Sequence, residues 1–143
     1  RTSKGFRLLG ALGYSLGGPL STITELSLND RLYLVQEEVI KGVACEGSCV
    51  IVGRCADYVL RDRSDVLNVY IHADMEDRKR QSNNVNINTS IKKIDNRPAN
   101  YYEYYTDRKW GRAENYDISI NSSTFGIDGT VEIIKMLAQK KAL

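Results

Sequence analysis

The chain has 143 residues, 42% of them hydrophobic and 27% charged, with a formal net charge of +2. This length suits one domain with a real core, and the composition is ordinary for a soluble globular chain. The mild charge argues against a nucleic-acid binder, and no apolar run approaches the ~20 residues of a membrane span.

Residues 1 to 28 carry Gly5, Gly10, Gly13, Gly17, Gly18 and Pro19 among apolar residues. No GxxxxGK[ST] phosphate loop occurs there, and the stretch reads as a loop and a poor helix covering the core. A helix is expected next. Asn29 is its N-cap candidate and Asp30 its first-turn acid. Leu28, Leu32, Val35, Val39 and Val43 recur at spacings of three and four, which predicts the buried face of an amphipathic helix ending near Gly47. Gln36, Glu37 and Lys41 lie off that stripe and read as solvated.

Cys49-Val50-Ile51-Val52, flanked by Gly47 and Gly53, predicts a short buried strand of a parallel sheet. Open α/β sheets bind ligands beyond the carboxyl ends of their strands, and Arg54 stands at such an end. Its planar fork suits phosphate or carboxylate. The plainer alternative is a surface arginine in a loop. Cys45, Cys49 and Cys55 make an odd count without a CxxC, and His72 is the single histidine, so no metal site is expected. Unpaired cysteines and no secretory signal point to a reducing cytoplasm.

A short helix is predicted over 56–60 and a second buried strand over 66–71. Asp74 is a cap candidate for a helix that carries Asp77, then Arg78, Lys79 and Arg80. Asn83, Asn84, Asn86 and Asn88 mark a loop. Thr89 is a cap candidate for a helix through Ile91, Lys92 and Ile94, which Pro98 should end or kink near Asn96. Tyr101, Tyr102, Tyr104, Tyr105 and Trp110 then crowd among Arg97, Arg108, Lys109 and Arg112. Such rings either stack single-stranded bases or, at helical spacing, pack on the domain. A third strand is expected over 117–121. A last helix, Gly126 to Ala138, should bury Ile127, Val131, Ile134 and Leu137 or Ala138. Helices alternating with strands argue for a parallel sheet covered by helices.

VIVGRCADYVL, VYIHADMEDR, the IKKIDNRPANYYEYYTDRKWG block and YDISINSSTFGIDGTVEIIK, in that order, resemble the cytidylate kinase-like family of P-loop nucleoside monophosphate kinases. NDRLYLVQEEVI at 29–40 resembles the family's segment before the Gly-Arg strand. The resemblance implies an α/β fold, a three-layer parallel sheet of the P-loop nucleotide-kinase type with helices on both faces. It implies one domain over 1–143 with a lid-like region at 76–112. It implies phosphoryl transfer from ATP, with Mg²⁺, to CMP or dCMP, by positioning and charge stabilisation. Arg54 matches the arginine that holds the acceptor phosphate, and Asp57 lies in the same segment. Arg78 matches an arginine at the start of the lid. Asp95 and Arg97 match the lid block, where arginine stabilises charge on the transferring group.

Three departures qualify that likeness. The strand, glycine-rich loop and helix that open nucleotide kinases are not found in the sequence. Gln81 stands where a further basic residue is expected, and Pro98 stands where a better helix former is. Residues 81–90 are therefore either a rebuilt lid or a join across missing residues. In the fold implied, the strand before the phosphate loop lies between those matched by 49–52 and 66–71, and leaving its place empty would expose two inner sheet edges. The native protein is thus expected to carry a further N-terminal segment of roughly 50 residues. Two other functions remain open. One is a non-catalytic relative that binds nucleotide or a partner protein. The other is a single-stranded nucleic-acid binder using the Tyr/Arg block.

Overall fold

The structure is a computed structural model that describes residues 27–81 and 87–141, the side chains of 87–94 excepted. Of the loop and poor helix expected over 1 to 28, residues 1–26 lie outside those residues. So do the core of the asparagine loop, 82–86, and the side chains of the helix face expected at Ile91, Lys92 and Ile94. The chain divides into two compact units. The first holds the residues up to Asp62 together with Tyr101–Arg108, and the second holds Arg63–Asn100 and the residues from Lys109 on.

In the first unit, helix α1 spans Leu28–Glu46. Its cap is Ser27, two residues before the expected Asn29. The Ser27 hydroxyl accepts from the Asp30 N–H at 3.2 Å and donates to Asp30 Oδ2 at 2.7 Å. A side chain that satisfies an orphan amide at a helix start stabilises it by about 1 kcal/mol. The helix ends at Gly47, whose φ of +151° lies in a region open essentially to glycine.

The buried face of α1 is not the expected one. Asp30, Tyr33, Leu34, Glu37 and Ile40 are buried, whereas Leu28, Leu32, Val35, Val39 and Val43 are exposed. Tyr33 decides this orientation, because its ring stacks on Tyr105 at 4.1 Å between centroids and 2° between planes. Glu37, expected in solvent, is drawn inside with that face and keeps Lys41 as its partner at 2.6 Å.

Residues 49–52 do not form the expected strand. Val50 is 92% and Val52 87% exposed. β-branched residues become a strand only when a neighbour supplies the ladder, and no described strand pairs with them. Helix α2, Ala56–Val59, follows as expected and buries Tyr58 and Val59, with Leu60 beside them.

Helix α3 covers Met75–Gln81 and helix α4 Ile87–Thr106. Thr89 is therefore inside α4, not at its cap. Pro98 does not end α4 near Asn96. An interior proline costs about 3 kcal/mol. Burying Tyr102 and Tyr105 in the turns that follow contributes ~1.5–3 kcal/mol each, which offsets it. Packing is thus the role of these two rings, as the helical-spacing alternative had it.

In the second unit, β1 (Val69–His72) and β2 (Ile118–Asn121) pair in parallel, Val69 opposite Ile118 and His72 opposite Asn121. The strands expected at 66–71 and 117–121 are therefore present and parallel, with β1 starting three residues later. Asp117 anchors the entry to β2: its Oδ2 accepts from the Asn68 N–H at 2.7 Å and from Lys141 Nζ at 3.0 Å. Tyr70 on β1 meets Trp110 edge-on at 5.4 Å and Tyr116 at 5.0 Å. Gly111 is required beside it, since a Cβ there would come within 2.9 Å of the Tyr70 hydroxyl.

Helix α5, Ser122–Lys141, begins earlier than expected and is broken at Gly126, whose φ is +68°. After that break Thr130 is the buried residue and donates to the Gly126 carbonyl at 2.6 Å. Ile127 and Val131 are exposed, contrary to expectation, while Ile134 and Leu137 are half-buried.

Candidate functional site

In the first unit the chain turns through Gly53, Arg54 and Cys55, all with positive φ, at 71°, 56° and 58°. Two successive non-glycine residues in the left-handed region cost of order 1–3 kcal/mol each, and such strain clusters at binding sites. The turn sends the Arg54 guanidinium over the Tyr101 ring, 5.9 Å from its centroid. A cavity of about 520 Å³ opens there, lined among others by Asn29, Asp30, Gln36, Arg54, Tyr101 and Tyr104.

The polar groups of this cavity are held in place from behind. Tyr101 donates to Gln36 Oε1 at 3.0 Å, and Tyr105 donates to Asp30 Oδ1 at 3.1 Å. Burial raises the phenol pKa of Tyr101, Cys55 adds to the rise, and Arg54 opposes it. Burial also raises that of Tyr105, with the Asp30 carboxylate adding to it. The tyrosines therefore stay neutral and offer rings and hydroxyls, not charge. Cys55 is buried, and desolvation with Asp57 nearby pushes its thiol up to about 12 despite Arg54. It is no nucleophile at neutral pH.

Asp57 accepts from the Tyr102 hydroxyl at 2.6 Å. Its carboxylate thus ties α2 to the tyrosine end of α4. Tyr33 Oη and Glu37 Oε2 are buried without a hydrogen-bond partner. Nothing in the sequence signals that, because Glu37 looks like an ordinary solvated helix residue.

The second unit holds the other three expected residues. Arg78 grips Asp95 with both arms, Nη1 to Oδ2 at 2.9 Å and Nη2 to Oδ1 at 2.6 Å. That hydrogen bonding raises the Arg78 pKa above its ordinary value, against the opposing effect of burial. Arg97 is exposed, two residues after Asp95 on α4. Residues two apart on a helix do not share a face, so Arg97 is not a third member of that pair. The structure therefore brings Arg78 and Asp95 together, and Arg54 and Asp57 lie within one turn of chain in the other unit.

The carboxyl ends of β1 and β2, where the sequence led to a ligand cleft, carry one, but its lining includes neither Arg54 nor Arg97. A cavity of about 310 Å³ is lined there by Ala73, Asp77, Arg80, Ser122, Ser123 and Gly126 with two neighbours. Parallel strands of α/β proteins present ligand sites at these ends. Its rim is set by short polar bonds: Asp74 N–H to Ser123 Oγ at 2.9 Å, Asn121 Nδ2 to Asp74 Oδ1 at 2.9 Å, and Ser122 Oγ to the His72 carbonyl at 3.0 Å. Ser122, Ser123 and Gly126 following a strand were the available signal. Among the described residues no three His, Cys, Asp or Glu side chains converge as a metal cage, and no helix is long and apolar enough to cross a membrane.

The solved structure of an uncharacterized protein from Eubacterium ventriosum is similar, with a TM-score of 0.70 at 24% identity over 97% of this chain and 83% of that one. At that identity the likeness speaks to the fold alone. No curated protein matches the chain. The model of the cytidylate kinase-like family matches residues 5–124. With most of its length inside that match, including the Gly-Arg turn, the Arg78–Asp95 pair and the parallel strands, this chain belongs to the cytidylate kinase-like family.

Proposed function

We propose that the protein transfers the terminal phosphoryl group of ATP to CMP or dCMP, in the cytoplasm. The observation that carries the reading is Arg54, projected by a strained turn over Tyr101 at a tyrosine-lined cavity. A nucleoside monophosphate has a charged end and a flat apolar end. A guanidinium offers paired N–H donors to the first, and neutral rings offer a stacking face to the second. Asp57, bonded to Tyr102, positions the α2 start that follows Arg54.

ATP is assigned to the cavity beyond β1 and β2. A Mg²⁺ ion bound with the ATP phosphates would supply charge neutralisation and would need only one or two protein carboxylates besides. Asp77 on the cavity wall is of the right type. Arg78 and Arg97 stabilise charge on the transferring group, with Asp95 orienting Arg78. The reading carries with it the three-layer P-loop architecture and the lid at 76–112.

A coupled ATP assay across CMP, dCMP, UMP and AMP tests it. Turnover with a cytidine monophosphate, reduced in Arg54→Ala, is expected, and no turnover with any of the four overturns it. One observation favours a second reading, a non-catalytic nucleotide-binding relative: the Arg78 guanidinium is already satisfied by Asp95. Calorimetric binding of CMP without phosphoryl transfer would select that reading.

A further inference from the structure

The stripe that the buried face of α1 leaves outside is apolar and exposed. Leu28, Leu32, Val35 and Val39 are 69%, 48%, 57% and 58% exposed. A helix apolar on two opposite faces belongs between two partners, and among the described residues only one of them is present. The spacing of the four is 4-3-4, the alternation of a coiled-coil seam, with Leu28 and Val35 at d and Leu32 and Val39 at a. Gly42 and Glu46 end the seam at the next d and a positions.

The polar flanks say what fits. Arg31 and Glu38 occupy successive g positions, and Asn29 and Gln36 occupy successive e positions. Antiparallel helices set g against g and e against e. We propose that α1 pairs with α1 of a second copy of this chain, antiparallel about a two-fold axis between Tyr33 and Leu34. In that register Leu28 packs on Val39 and Leu32 on Val35 of the other copy, each twice. Arg31 then faces Glu38, twice, while Asn29 and Gln36 on the other flank stay at the rim of the cavity beside Arg54, with Gln36 holding Tyr101. One register thus satisfies the apolar seam and its charged flank, and every charged pair is of opposite sign. A parallel pairing sets g against e, so that Arg31 and Glu38 meet only uncharged residues. Four apolar layers are few, so the dimer is weak and forms in a concentration-dependent way.

Sedimentation equilibrium of the full chain, from micromolar to millimolar, reads the association directly. A monomer–dimer equilibrium is expected, abolished by Val35→Glu. Arg31→Glu and Glu38→Arg, exposed changes that leave the seam intact, should each weaken the dimer by roughly tenfold or more through like-charge contacts. Mixing those two variants should restore a one-to-one dimer, because each g–g contact between unlike variants can again join opposite charges. Circular dichroism confirms that each variant remains folded. A monomer at every concentration overturns the proposal, whether residues 1–26 or a different protein covers the stripe. So does a dimer indifferent to Val35→Glu, or a mixture no tighter than its parts.

Discussion

Arg54 and Arg78 are the same residue type in opposite electrostatic states. Arg54 lies over the face of a neutral ring, within a cavity whose tyrosines burial keeps protonated. Arg78 is closed on a carboxylate by two short bonds. A guanidinium set against a neutral phenol, as Arg54 is against Tyr101, gives up only a neutral contact to take a ligand. One held bidentately by aspartate must exchange that partner for a phosphate. Under the proposed function the contrast makes the first arginine the ground-state contact, whereas the second must first be released from its carboxylate.

The largest expected effect concerns the platform under Arg54. Tyr105→Ala removes the ring stacked on Tyr33 and the bond to Asp30, and should cost about 3–5 kcal/mol in urea unfolding. A loss below ~1 kcal/mol would mean that the tyrosine end of α4 does not hold the cavity. Next, Arg54→Ala should raise the KM for CMP on the order of 10²-fold with a smaller change in kcat, and Arg97→Ala should lower kcat by a similar factor. The reverse assignment would interchange ground-state and transition-state roles. Unchanged kinetics in both variants would remove both residues from the site.

Asp95→Asn sharpens the contrast further. The Arg78 and Asp95 side chains are 30% and 35% exposed, so the pair contributes only ~0–1 kcal/mol to stability. Turnover should nevertheless fall, by roughly tenfold, if Asp95 orients Arg78. Faster turnover would identify Asp95 as a restraint instead. The smallest effect is a control away from either arginine. The Asp117 carboxyl is lowered from its ordinary value of 3.8: desolvation opposes the shift, and the Asn68 N–H and Lys141 outweigh it. A depressed carboxyl stabilises the fold above its unfolded pKa and loses that contribution as pH falls through the folded value. Asp117→Asn should therefore be less stable than the parent by at most ~1 kcal/mol at pH ~7, and the gap should close in acid below the ordinary aspartate range. A gap that persists at low pH would assign the difference to something other than charge.

What could be read from the chain and what could not are divided most clearly on α1. Its extent was legible to within two residues, since a cap, the first-turn acid Asp30 and Gly47 are local signals acting within a turn or two, although the cap is Ser27 and not the expected Asn29. Which face it buries was not. The leucine and valine stripe is the more apolar face, but Tyr33 finds a ring to stack on that lies more than seventy positions further along the chain. Arg54 was legible as a candidate because a glycine-arginine pair after an apolar run is a local pattern, although the strand end expected there is a left-handed turn. The pairing of Arg78 with Asp95 was not, since seventeen residues separate them.

By itself the sequence determined the things that short-range chemistry controls. These are the positions of α1, α2, β1 and β2, and the family to which the motifs belong. Only the tertiary structure decided that 49–52 remains without a ladder among the described residues, because a strand exists by virtue of its neighbour. It also decided that α4 runs through Pro98, because two buried tyrosines outweigh one lost hydrogen bond. Finally, it decided which apolar face of α1 turns inward and which is left for a partner, a choice settled by the shape of a distant ring and not by hydrophobicity.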